Sequence, residues 1–181
     1  MVAHLPVMPR CKSFHVAINV AASHFRDRAI LDDLQTLWWP ANPVPQLVVE
    51  LTERDALPVV DQRVISHLHK VGVQLAIDDF GTGHSSLSYL KTLQPDVLKI
   101  DKMFTAAIGT DAINATVTDM VISLAQRLNI SLVAEGVETE EQANYLRERG
   151  VDRLQGYFYA RPMPLGDFPA WMDRHLAHIA A

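Results

Sequence analysis

Asp78 and Asp79 stand side by side at the end of the apolar run 73–77, directly ahead of Phe80-Gly81-Thr82-Gly83. Adjacent side chains on a strand point to opposite faces, so an extended Asp-Asp pair does not readily aim at one atom. At a strand end, with glycines at 81 and 83 loosening the turn, both carboxylates can converge on a metal cluster. One carboxylate can then bridge two divalent ions while its neighbour binds the second. The plain alternative is an aspartate that caps a helix.

Other residues fit the same chemistry. Asn19 lies in Ala17-Ile18-Asn19-Val20, where its amide oxygen can serve a metal or a structural hydrogen bond. Glu50 and Glu53 follow a strongly apolar run. A buried Glu50 needs a cation or hydrogen-bond donors, while one of the pair can instead cap the next helix. Lys99 in Val97-Leu98-Lys99-Ile100-Asp101 can hold a water or a phosphate oxygen, or pair internally with Asp101 or Asp79. Glu135 and Glu138 repeat the carboxylate pattern. Gln155 opens Gln155-Gly156-Tyr157-Phe158, where an aromatic ring can stack on a base or pack in the core.

A set of carboxylates with an Asn and a Lys favours hard ions bound through oxygen, Mg²⁺ or Mn²⁺. Two such ions suit phosphoryl chemistry, so a phosphodiester is the natural substrate class. The glycines make no dinucleotide fingerprint, because Ser86 occupies the sixth position of that register, and there is no G-K-[ST]. The eight histidines are scattered, and His84 alone falls near the carboxylates.

Six apolar runs must position these groups as strands: 14–20, 46–53, 73–79, 96–101, 130–135 and 153–158. Helical segments are expected at 27–38, 56–70, 85–92, 111–128, 139–148 and 166–179. In 115–128 the apolar stripe is Val117, Met120, Val121, Leu124, Ala125 and Leu128. Thr139 with Gln142 reads as a capping box, and Gly72 and Gly150 sit where helix C-terminal glycines belong. Strand starts recur at roughly 28-residue intervals, the rhythm of βα units. An open doubly wound sheet or a (β/α)8 barrel would both satisfy it. Polar residues at nearly every strand end argue for a barrel mouth, yet six units leave a barrel two short.

The 181 residues are 49% apolar, enough for one sizeable core. A net charge of -5 gives no footprint for DNA or RNA. Cys11 is the only cysteine, which excludes an internal disulfide and a cysteine-built zinc cluster. With no twenty-residue apolar span and no signal-peptide pattern, a cytoplasmic chain, or the cytoplasmic part of a membrane-anchored parent, is expected.

The motifs together closely resemble the EAL family of cyclic-di-GMP phosphodiesterases. The matching stretches are Ile18-Asn19-Val20, Glu50-Leu-Thr-Glu53, Asp78-Asp-Phe-Gly-Thr-Gly83 with His84-Ser-Ser-Leu-Ser-Tyr-Leu90, Leu98-Lys-Ile-Asp101, Ala134-Glu-Gly-Val-Glu138, and Gln155-Gly-Tyr157 leading to Arg161-Pro162. The resemblance implies an α/β fold, a TIM-like (β/α)8 barrel modified by one antiparallel strand. It implies hydrolysis of cyclic-di-GMP to linear pGpG with two Mg²⁺ or Mn²⁺ ions. Asn19, Glu50 and Asp78 would hold one ion. Asp78 would bridge to the second, held by Asp79 and Glu135. Lys99 would hold and help activate the attacking water, Glu138 and Gln155 would support the mouth, and Glu53 would hold the Asp-Asp-Phe-Gly loop. That loop also contributes to dimerisation in the family, so a homodimer is expected. His84 stands where the family usually has Tyr.

The Glu-Ala-Leu segment that names the family, which precedes Asn19 there and supplies a further metal ligand, is not present. The expectation is therefore an incomplete barrel of about six of eight βα units over residues 13–181, preceded by an irregular segment 1–12. Weak or absent hydrolysis by this truncated chain follows, with an upstream sensory or membrane domain in a longer parent. The alternative is a catalytically inactive EAL-like module that binds cyclic-di-GMP or a partner protein in signalling.

Overall fold

The computed structural model describes residues 15–26, 28–38, 46–56, 61–82, 87–110 and 113–179. Residues 1–12, Gly83 and His84 lie outside these. Six strands are described: β1 (His15–Asn19), β2 (Gln46–Thr52), β3 (Gln74–Phe80), β4 (Val97–Ile100), β5 (Ser131–Ala134) and β6 (Arg153–Leu154). They form one sheet in the order 1-2-3-4-5-6, and every neighbouring pair is parallel. A doubly wound sheet would reverse direction at a switch point. This order never reverses, which resolves the two architectures in favour of a curled, incomplete barrel. The antiparallel strand implied by the resemblance is not among the six.

Alternate strand residues face opposite ways. One set, including Leu47, Val49, Leu75, Ile77, Leu98, Ile100 and Leu132, joins helix residues such as Phe25, Leu68, Ile122 and Leu146 in a single core. The other set, Val48, Ala76, Val97 and Val133, forms a separate small cluster made only of strand residues. The helices therefore cover one face, and the second face is the concave interior. Arg153 at the start of β6 is felt at His15 at the start of β1. Burial first, then that guanidinium charge, holds the His15 imidazole below its ordinary pKa.

The helices are α1 (Ala22–Arg26), α2 (Ala29–Asp33), α3 (Glu53–Ala56), α4 (Gln62–Lys70), α5 (Leu87–Leu93), α6 (Lys102–Thr105), α7 (Ile113–Leu128), α8 (Glu140–Glu148) and α9 (Phe168–Ile179). The capping box at Thr139 and Gln142 is present, and Gly72 and Gly150 take φ of 78° and 77°. None of the described helices is long and apolar enough to cross a membrane.

Several expectations need correction. The segment 27–38 is not one helix: Arg28 takes a left-handed φ of 58° ahead of α2, and a π-helical turn Leu34–Trp38 follows. On α7 the buried residues are Thr118, Val121, Ile122 and Ala125, with Val117 and Leu124 packed against the core, while Met120 is 66% and Leu128 47% exposed. β6 ends at Leu154 rather than Phe158. Gly156 presses on Val137 so closely that an added Cβ would lie 2.1 Å from its carbonyl oxygen, and the Phe158 amide donates to that oxygen. The chain turns there instead of extending. Tyr157 and Phe158 are both exposed, so neither is a core residue; Arg161 covers the Tyr157 ring at 4.5 Å.

Candidate metal centre

Each central strand carries a small apolar residue on the concave face and a charged residue two positions later. Val48 precedes Glu50, Ala76 precedes Asp78, Val97 precedes Lys99 and Val133 precedes Glu135. Because the strands are parallel, the second set forms one ring at the C-terminal mouth, where barrel proteins place their chemistry. Asn19 on β1 is the register neighbour of Glu50, and Gln155 directly follows β6.

Lys99 is the hub. Its Nζ donates to Glu50 Oε2 at 2.7 Å and Asp78 Oδ2 at 3.1 Å, and lies 2.6 Å from Glu135 Oε1. The alternative of an internal pair with Asp101 or Asp79 is not what forms: the ion pairs run to Glu50 on β2, Asp78 on β3 and Glu135 just after β5. Lys99 and Glu50 are 4% and 7% exposed, so these charges interact where water screens them little. Burial opposes the Lys99 charge, but Glu135 and Glu50 outweigh it and hold the ammonium above the ordinary lysine pKa. Burial pushes the Glu135 carboxyl up, with the Asp78 and Glu50 charges adding and Lys99 opposing.

Asp79 reaches the same place by a β-bulge. Between the pairs Ile77–Leu98 and Phe80–Ile100, β3 spends one residue more than β4, and Asp79 takes a left-handed φ of 55°. Such a bulge re-aims a side chain, and Asp tolerates that conformation better than most residues. Convergence of the two aspartates therefore rests on the bulge in the strand, where sequence reasoning placed it in the glycine turn. Asp78, Asp79 and Glu135 each offer an oxygen, all within 4.8 Å of one another. Burial raises the Asp79 pKa, with the charges of Asp78 and Asp101 adding.

The turn after the bulge is secured from two sides. Glu53, 1% exposed, accepts a hydrogen bond from the Gly81 amide at 2.9 Å, and Thr82 Oγ1 donates to the Asp79 carbonyl at 2.9 Å. Asp101, which the sequence offers only as an alternative ion-pair partner of Lys99, has a different part here. It caps α6 by accepting from the Met103 amide at 2.7 Å, and its negative charge is among those that raise the Asp79 pKa. An Asp followed by a short helical segment was the available signal. Glu138 and Gln155 are exposed and stand outside the three-carboxylate group; Gln155 joins the β5 and β6 ends through its backbone, accepting from Val137 and donating to Ala134.

Among the described residues the donors are carboxylate oxygens without sulfur or imidazole, and four carboxylates face one ammonium. That set fits hard divalent cations. Fold and site together define an incomplete parallel βα barrel with an acidic mouth whose carboxylates suit a divalent cation.

The EAL domain family model matches residues 2–162, and the chain belongs to that family. It is 61% identical over 180 residues to PdeD of Escherichia coli (strain K12), named a probable cyclic di-GMP phosphodiesterase; the match covers 96% of this chain and 34% of PdeD. The chain thus spans about a third of the length of that relative. Among solved structures, the EAL domain of Mycobacterium smegmatis DcpA is 35% identical with a TM-score of 0.76, covering 87% of this chain and 72% of that one. Klebsiella pneumoniae BlrP1, solved as a manganese/cyclic-di-GMP complex, is 32% identical with a TM-score of 0.72, covering 82% and 39%.

Proposed function

We propose that this chain forms the greater part of a phosphodiesterase domain that hydrolyses cyclic-di-GMP to linear pGpG with two Mg²⁺ or Mn²⁺ ions. The observation that carries the reading is the convergence of Asp78, Asp79 and Glu135 within 4.8 Å, beside Lys99 and the buried Glu50. Asn19, Glu50 and Asp78 would hold one ion, and Asp78, Asp79 and Glu135 the other. Bound there, the ions would supply Lewis-acid stabilisation to the phosphodiester oxygens.

The protein's own part is positioning. Lys99 holds and orients the attacking water at the cluster, its ammonium kept charged by the surrounding carboxylates. Glu53 fixes the turn that carries Asp79. Glu138 and Gln155, on the exposed rim, contact the substrate side. A homodimer belongs to the same reading, with the exposed Ile113 and Met120 of α7 offering apolar surface for contact. Because the described sheet is open at both edges, turnover by the 181-residue chain alone should be weak.

The test is hydrolysis of cyclic-di-GMP by the chain in Mn²⁺ and in Mg²⁺, with Asp78→Asn beside it. Loss of the bridging carboxylate should cost more than the ~10–100-fold that removing an outer-sphere partner costs. Binding of the dinucleotide without turnover in excess Mn²⁺ would favour a sensor module. Neither binding nor turnover, in a folded preparation, would overturn the proposal.

A further inference from the structure

The short helix α6 touches both loops that carry the second ion's ligands. It starts immediately after β4, capped by Asp101 through the Met103 amide. Its first residue, Lys102, packs on Gly136, the neighbour of Glu135: a Cβ added to Gly136 would lie 2.4 Å from the Lys102 Cβ. Its third residue, Phe104, is 3% exposed and lays its ring edge on Gly81, where an added Cβ would stand 3.1 Å away. Gly81 is the residue whose amide is held by Glu53 from the other side. Phe104 is itself fixed from behind. The fully buried Thr118 of α7 donates to the Phe104 carbonyl at 3.1 Å, sharing its hydroxyl proton with the Asn114 carbonyl.

We infer that Phe104 is a positioning residue for Asp79 and Glu135: clamped between Thr118 and Gly81, it holds α6 against the Asp79 turn and the Glu135 loop. The inference rests on the proposed two-ion site and names a residue that touches neither ion nor substrate. Close packing transmits such a constraint because the interior has no slack for the turn to move into. A ligand group must be held to within a fraction of an ångström for an ion site to keep its affinity.

Two measurements on the full chain test it. One is hydrogen exchange of the Gly81 amide in ion-free protein. The other is Mn²⁺ binding followed by electron paramagnetic resonance, with the second site identified as the binding that Asp79→Asn removes. Phe104→Ala should speed Gly81 exchange and weaken second-site Mn²⁺ binding, each by about tenfold or more, as loss of an outer-sphere support does. Phe104→Leu should fall between. Leu146→Ala, a fully buried truncation in α8, should lower thermal stability while leaving both readouts within about twofold. The inference is overturned if Phe104→Ala leaves both readouts unchanged, or if Leu146→Ala changes them equally. Should Phe104→Ala fail to fold, Thr118→Val decides: the same shifts at smaller size support the clamp, and unchanged values overturn it. A parent chain that binds no Mn²⁺ would sink the proposed function, and Gly81 exchange would still judge the clamp.

Discussion

The carboxylate of Glu53 accepts a hydrogen bond from the amide of Gly81 at 2.9 Å, joining the end of β2 to the turn beyond Asp79. Glu53 is buried and Gly81 half-buried. Glu53→Ala should leave the Gly81 N–H unpaired and cost about 1–3 kcal/mol. Glu53→Gln keeps an oxygen acceptor and should cost less. Urea denaturation of both variants checks the order, and the alanine variant should also bind Mn²⁺ more weakly.

Lys99→Met should separate stability from metal binding. Removing the ammonium leaves Glu50, Asp78 and Glu135 facing one another without a cation, and breaking a buried pair in this way costs about 3–5 kcal/mol. A divalent ion can replace the lost charge. Thermal unfolding should show a low melting temperature in ion-free buffer and a larger rise on adding Mn²⁺ than the parent shows. Hydrolysis should remain low even when the ion restores the fold if Lys99 orients the water as proposed.

Much of this site is legible in the sequence, for a physical reason. Period-two alternation along each strand places Val48 and Glu50, or Val97 and Lys99, on one face. A charged residue closing an apolar strand therefore marks the concave mouth. What stays hidden is what depends on pairing between strands. The bulge at Asp79 exists only relative to β4, and its left-handed backbone leaves no compositional trace. The same holds for the end of β6, where the close approach of Gly156 to Val137 ends the strand in a run that reads as extended. On α7 the stripe holds at Val117, Val121, Leu124 and Ala125; what it misses is Thr118, which is buried because its hydroxyl is paired with the Phe104 and Asn114 carbonyls.

Gly156→Ala tests that close approach. The new methyl would meet the Val137 carbonyl oxygen at 2.1 Å and its nitrogen at 2.3 Å, and both are backbone atoms that cannot turn aside. Overpacking of this kind costs about 1–3 kcal/mol and sometimes more. Gly166→Ala, with nothing within 4 Å of the added atom, is the control and should be near neutral. Chemical denaturation of the two variants should separate them clearly.

The pH dependence of fold and of ion binding should run in opposite directions. Burial and neighbouring charges raise the pKa of Glu135 and Asp79, so the folded, ion-free chain holds protons there more tightly than the unfolded chain does. The resulting destabilisation is fully present above the raised values. It is relieved as pH falls through them toward the ordinary carboxylate range near about 4. Lys99, whose pKa is also raised, contributes stability that is complete below the ordinary lysine value and lost only as pH rises through the higher folded one. Ion binding requires the deprotonated carboxylates, so it should weaken over the same acidic interval in which these two groups favour the ion-free fold. Thermal unfolding between neutral and mildly acidic pH, with chelator and with Mn²⁺, checks both signs. The Mn²⁺-induced rise in melting temperature should shrink steadily as pH falls, and Glu135→Gln should flatten that dependence. A Mn²⁺ effect that is constant across the interval would mean that neither carboxylate binds the ion.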